Sequence, residues 1–105
     1  MRPSSTVRKV HTIDELKLLV APVAERYGIA KVYLFGSVAR GDSRENSDYD
    51  FCVEMGKIDN LFELSEFFLD LKEAVENEID LVSTGSVKSE FLNKIMKESV
   101  VLYEG

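Results

Sequence analysis

The chain has 105 residues, 45% of them hydrophobic and 30% charged, a balance that suits one folded domain and excludes a disordered chain. With 19 acidic residues against 13 basic, the formal charge is -6, so most of the surface repels a phosphate backbone and direct nucleic-acid binding is disfavoured. A single cysteine, Cys52, and a single histidine, His11, exclude an intramolecular disulfide, a Cys-rich zinc site and a His-cluster metal site.

No stretch approaches the ~20 apolar residues of a membrane helix. Met1–Val10 lacks the apolar centre of a signal peptide, so a cytoplasmic protein with no membrane contact is expected. Met1–His11 reads as a mobile or edge segment, with His11 solvated at a helix entrance. Thr12-Ile13-Asp14-Glu15 fits a capping box, in which Thr and Glu satisfy each other's backbone donors. Ile13, Leu16, Leu19, Val20, Val23, Ala24 and Tyr27 then follow helical spacing up to a stop at Gly28. Pro22 inside this run predicts a kink near residues 18–22 or two abutting helical pieces.

Val32–Phe35 reads as a short buried strand that Gly36-Ser37 ends, with one helical turn at Val38–Arg40 and a polar loop over Asp42–Ser47. Tyr49, Phe51 and Val53 alternate with Asp48, Asp50 and Cys52, the period of a two-faced strand. Asn60-x-x-Glu63 can cap a second long helix to about Glu76, with Leu61, Leu64, Phe67, Phe68, Leu71 and Val75 as its apolar stripe. Ile79–Val82 is a third strand. Ser86 can cap a last helix, Val87–Glu98, and Ser99–Tyr103 suits an edge strand or an extended tail. The expected architecture is α+β with an α/β-like order, α-β-α-β-α-β-α: a single domain built on a small three-stranded mixed sheet backed by helices.

The chemistry sits in Gly36-Ser37, ten intervening residues, and Asp48-Tyr49-Asp50. Aspartates two positions apart on a strand share a face, where they repel unless a cation joins them. Magnesium suits one or two carboxylates completed by phosphate oxygens and water. A glycine-serine turn from strand into helix presents free N–H groups to an anion. Asp80 stands between Ile79 and Leu81, where an apolar residue is the default, and reaches the same point if its strand lies beside the first pair. Three carboxylates suffice for two metal ions.

Gly-Ser, ten residues, Asp-x-Asp and a distal strand Asp resemble the signature of the DNA polymerase β-like nucleotidyltransferase superfamily. The runs Val32–Gly41 and Ser47–Asp50 are similar to its minimal nucleotidyltransferase (MNT) branch, and Pro22 and Val100–Tyr103 extend the likeness over nearly the whole chain. The resemblance implies Mg²⁺-dependent transfer, with two ions, of AMP from ATP. It further implies an antitoxin in a hetero-oligomer with a HEPN-type toxin, a ribonuclease silenced by AMP on a tyrosine. Carried over residue by residue, Gly36 and Ser37 bind phosphate, Asp48 and Asp50 bind metal, and Asp80 binds the catalytic metal and helps deprotonate the acceptor hydroxyl. Arg40 and Ser47 also fit the branch, as phosphate contacts.

Plainer readings stand beside these. The aspartates also suit the solvent face of an edge strand, Arg40 a pairing with Asp42 or Glu45, and Cys52 a small buried thiol. Glu63, Glu66, Asp70 and Glu73 recur at helical spacing, as a solvated face or as an acidic docking face for a basic partner. Two functional alternatives remain open: an antitoxin that works by occlusion, and a nucleotidyltransferase subunit acting on RNA or a small molecule.

Overall fold

The computed structural model describes residues 11–36, 48–85 and 88–105. The Met1–Val10 segment, the expected turn at Val38–Arg40, the loop at Asp42–Ser47 and the cap at Ser86 lie outside them. Thr12 opens helix α1 (Ile13–Tyr27) by accepting from the Glu15 N–H at 3.1 Å, while the Thr12 N–H donates to the Glu15 carboxylate at 2.8 Å. This is the reciprocal cap that the spacing predicts. Gly28 closes the helix at φ 69°, and the N–H groups of Gly28 and Ile29 donate to the Glu25 and Ala24 carbonyls. The helix runs unbroken through Pro22, so it is one piece rather than two. Pro22 and Leu18, one turn before it, are both exposed. The carbonyl left without a donor therefore lies on the hydrated side.

Strands β1 (Lys31–Phe35), β2 (Tyr49–Glu54), β3 (Ile79–Ser83) and β4 (Val100–Glu104) form one mixed sheet in the order β3-β2-β1-β4. β2 lies antiparallel to β1 and parallel to β3, and β4 runs antiparallel along the other side of β1. Among the described residues the sheet thus has four strands, not three. The apolar tail residue Leu102 is buried, and pairing covers the backbone edge that β1 would otherwise expose.

Helix α2 (Leu61–Val75) is capped by Asn60, whose side chain accepts from the Glu63 N–H at 2.8 Å. It ends before Glu76, which takes a left-handed φ of 53°. Helices α1 and α2 bury Leu16, Val20, Phe67 and Leu71 against Val32, Leu34, Phe51 and Val53 on one face of the sheet. Helix α3 (Ser89–Glu98) covers the other face, where Ile95 closes over Tyr33 and Cys52. α3 begins at Ser89, later than the expected Val87, and its N-cap residue Lys88 makes no side-chain cap bond. Its position follows from packing: Leu92, Ile95 and Met96 face the sheet.

Candidate active site

Along β2 the alternation is complete. Tyr49, Phe51 and Val53 point into the α1/α2 core, and Cys52 points to the α3 side. Asp50 shares the parity of Cys52 and so lies on the α3 side of the sheet, half-buried, with exposed Asp48 just before the strand. The ladder opens with the Tyr49 N–H donating to the Glu78 carbonyl at 3.1 Å. It sets Asp50 directly across from Asp80 in the parallel pairing. Neighbouring strands are ~4.8 Å apart, so two carboxylates from different parts of the sequence share one face at adjacent positions.

On its other flank Asp50 is the register partner of Phe35, the last residue of β1. Gly36 follows at φ 78°, and a Cβ placed there would overlap the Asp50 carboxylate. The glycine therefore has two reasons to be there: a left-handed backbone and a close approach of main chain to an acid group. The turn and the carboxylates, which the sequence places side by side only by analogy, meet in space. Ser37, Arg40 and Ser47 fall outside the described residues.

The site also holds features that spacing did not reveal. Phe91 of α3 stands edge-on to Phe35, with centroids 6.5 Å apart and planes at 89°, and builds an apolar wall beside Asp50. The only hint of it in the sequence is an aromatic at the margin of an amphipathic stripe. His11, expected to be solvated, is half-buried instead. Its main-chain N–H donates to the Tyr49 hydroxyl at 3.1 Å, and its ring Nδ1 lies at 3.1 Å from the same oxygen. The reason is that Tyr49 reaches through the core face and offers a polar tip at its rim. This contact pins the chain before α1 to the residue between the two aspartates.

Cys52 is fully buried, and burial followed by the charge of Glu54 pushes its thiol up. A thiol held protonated is a poor nucleophile, so it serves as a small packing group under the site. Among the described residues, no three His, Cys, Asp or Glu side chains form a ready-made metal-ligand group. The donors brought to adjacent positions are hard carboxylate oxygens, one of them against a glycine whose missing side chain makes room for it. That set fits Mg²⁺, which takes few protein ligands and completes its shell with phosphate oxygens and water.

A glycine turn is thus pressed against a strand carboxylate, with a second carboxylate one strand away. The family described as polymerase beta, nucleotidyltransferase matches residues 19–105, and the chain belongs to it. Within it, the chain is 31% identical over 88 residues to a provisionally named protein adenylyltransferase of Methanocaldococcus jannaschii, covering 84% of this chain and 95% of that protein. It is 29% identical over 93 residues to protein adenylyltransferase MntA of Thermococcus cleftensis, covering 85% and 94%. Its fold is shared with a chain of a toxin–antitoxin crystal structure containing AMP-PNP (TM-score 0.69, 22% identity, 87% of this chain and 73% of that one). The fold is also shared with a chain from a complex of tri-AMPylated Shewanella oneidensis HEPN toxin and MNT antitoxin (TM-score 0.62, 19% identity, 89% and 71%).

Proposed function

We propose that this chain is a single-domain, cytoplasmic antitoxin that transfers AMP from ATP to a hydroxyl of a HEPN-type toxin held in a hetero-oligomer with it. The observation that carries the reading is the meeting of Gly36, Asp50 and Asp80: a left-handed glycine turn packed against one carboxylate, with a second directly across the ladder. The names of the similar proteins support it: a protein adenylyltransferase, a complex with AMP-PNP and an AMPylated toxin.

In this reading the N–H groups at Gly36-Ser37 hold the triphosphate, with Arg40 and Ser47 as further phosphate contacts. Asp48, Asp50 and Asp80 would hold Mg²⁺, two ions when nucleotide is bound, and so relieve their mutual repulsion. When bound, the metal supplies charge neutralisation of the phosphates and a lowered pKa for a coordinated hydroxyl. The acceptor oxygen attacks the α-phosphorus, the bond to the β-phosphate oxygen breaks, and pyrophosphate leaves. Asp80 takes the hydroxyl proton. Because Asp80 is exposed, the attacking hydroxyl can come from another protein.

Labelled ATP, Mg²⁺ and a HEPN-type toxin test the reading by intact-mass spectrometry. Wild type adds AMP units to the toxin, while Asp48→Asn and Asp50→Asn do not. Transfer that persists in both variants overturns it. Occlusion without chemistry is the second reading, favoured by the carboxylates' not being gathered into a closed ligand set among the described residues. It predicts that Asp48→Asn neutralises the toxin as well as wild type does.

A further inference from the structure

Helix α2 buries Phe67, Leu71 and Val75, yet its outer side is also apolar: Leu61 is 78% exposed, Phe62 79% and Leu69 61%. At about 100° per residue, Leu61, Ser65, Leu69 and Phe62 make a continuous outward strip. Between this strip and strand β3 runs a groove of about 400 Å³ lined by Leu64, Ser65, Phe68, Leu69 and Leu81. The other flank of the strip is a ridge of Glu63, Glu66, Asp70 and Glu73. Asp70 pairs with Arg26 at 3.4 Å and Lys72 with Glu78 at 2.8 Å. Glu63, Glu66 and Glu73 have no ion-pair partner among the described residues.

Exposed apolar side chains in a row beside a groove mark a docking surface more often than a solvated face. The charge pattern selects the occupant. A second copy brings its own acidic ridge and a further net charge of -6 to the contact, which opposes self-association. We infer that the α2 strip and its groove receive an amphipathic helix of a partner protein, its apolar stripe bordered on one side by lysines or arginines. A helix lying in an apolar groove reads out as anchors at i, i+3/i+4 and i+7, and Leu61 to Leu69 spans about 12 Å, enough for two such turns.

This surface lies on the α1/α2 side of the sheet, away from Asp50 and Asp80, so a docked helix leaves the nucleotide site open. The inference deepens the partner-protein reading by naming where the partner is held, and it separates holding from chemistry.

The test titrates the full ¹⁵N-labelled chain with a synthetic helical peptide carrying a leucine stripe and one lysine flank, and with the same peptide carrying glutamates. The lysine peptide shifts resonances of Leu61–Leu69 and Leu81. Its affinity falls at least about tenfold between low and high salt. Phe62→Ser with Leu69→Ser weakens it about tenfold or more, and Glu66→Lys with Glu73→Lys makes the glutamate peptide the better ligand. All four side chains are exposed, so these variants keep the fold. Equal binding of both peptides, no binding, shifts elsewhere, or dimerisation through this strip overturns the inference. Shifts at Asp50 and Asp80 on adding MgATP to the same sample report the nucleotide site separately. Their absence counts against the proposed activity and leaves the docking result standing.

Discussion

On the α1/α2 side of the sheet, Tyr49, Phe51 and Val53 of β2 are each at most 2% exposed, under two helices of 15 residues. On the opposite side the intervening residues change character along the strand: Asp48 exposed, Asp50 half-buried, Cys52 buried, beneath a helix of 10 residues. One strand thus serves a packed face and a carboxylate-bearing face, the proposed reactive face, at once. The shorter helix packs over Tyr33 and Cys52 and reaches Phe35, the register partner of Asp50, through Phe91. Carboxylates sit toward the other end of that face, where a fully packed layer would have to exclude or neutralise them. The core and the proposed site therefore lie on different faces of the same strands, and substitutions should separate them.

The largest effect is expected on the packed face. Phe67→Ala removes a fully buried ring of α2 and should cost ~3–5 kcal/mol in urea unfolding. The folded fraction should still bind MgATP with wild-type affinity. On the proposed reactive face, Asp50→Asn should shift the unfolding midpoint far less than Phe67→Ala and lower AMP transfer on the order of 100-fold, about 2.7 kcal/mol in the barrier. A Tm that falls as far as in Phe67→Ala would erase the division between the faces. Gly36→Ala sits where the faces meet. Its backbone would cost ~1–2 kcal/mol at positive φ, and its methyl would push the Asp50 carboxylate aside, so stability and transfer should fall together.

Much of this was legible before any coordinates. Period-two alternation over Asp48–Val53 and the caps at Thr12 and Asn60 are local signals, and local physics decides them. The fourth strand was ambiguous because Val100–Tyr103 gains its pairing only when β1 presents an edge, a long-range condition. The placing of Asp80 across from Asp50 likewise depends on a parallel register that spacing cannot set. The wall of Phe35 and Phe91 and the bond from His11 to Tyr49 join residues 56 and 38 positions apart, and no periodic pattern encodes such meetings.

Alkaline pH sharpens the comparison on a smaller scale. Burial, then Glu54, raises the Cys52 thiol above its ordinary 9.0. Burial, then the hydrogen bond to Glu54, raises Tyr33 above 10.0, and donation to Asp70 does the same for Tyr27. In the window above pH 9 the unfolded chain has lost protons that the folded chain retains, so stability is complete below that window and falls as pH rises through it. Thermal melts from pH 8 to 11 should show a declining Tm, less steep in Tyr33→Phe. A flat profile would show that these hydroxyl and thiol groups ionise alike in both states.

The smallest effect is the most telling about the reactive face. Asp80 adds a carboxylate directly across from Asp50, and like charges at facing sheet positions are unfavourable. Without nucleotide, Asp80→Asn should therefore be as stable as wild type or slightly more so, the opposite sign to Phe67→Ala. Adding MgATP at about ten times its Kd should then stabilise wild type by ~1.4 kcal/mol through mass action. The variant should gain much less, because one of the carboxylates proposed to hold the metal is missing. An exposed aspartate with no role beyond solvation predicts instead an unchanged ligand-induced shift. Paired melts with and without MgATP read both terms in one protein. A residue that costs stability when the site is empty and returns more when it is filled has been placed for the ligand rather than for the fold.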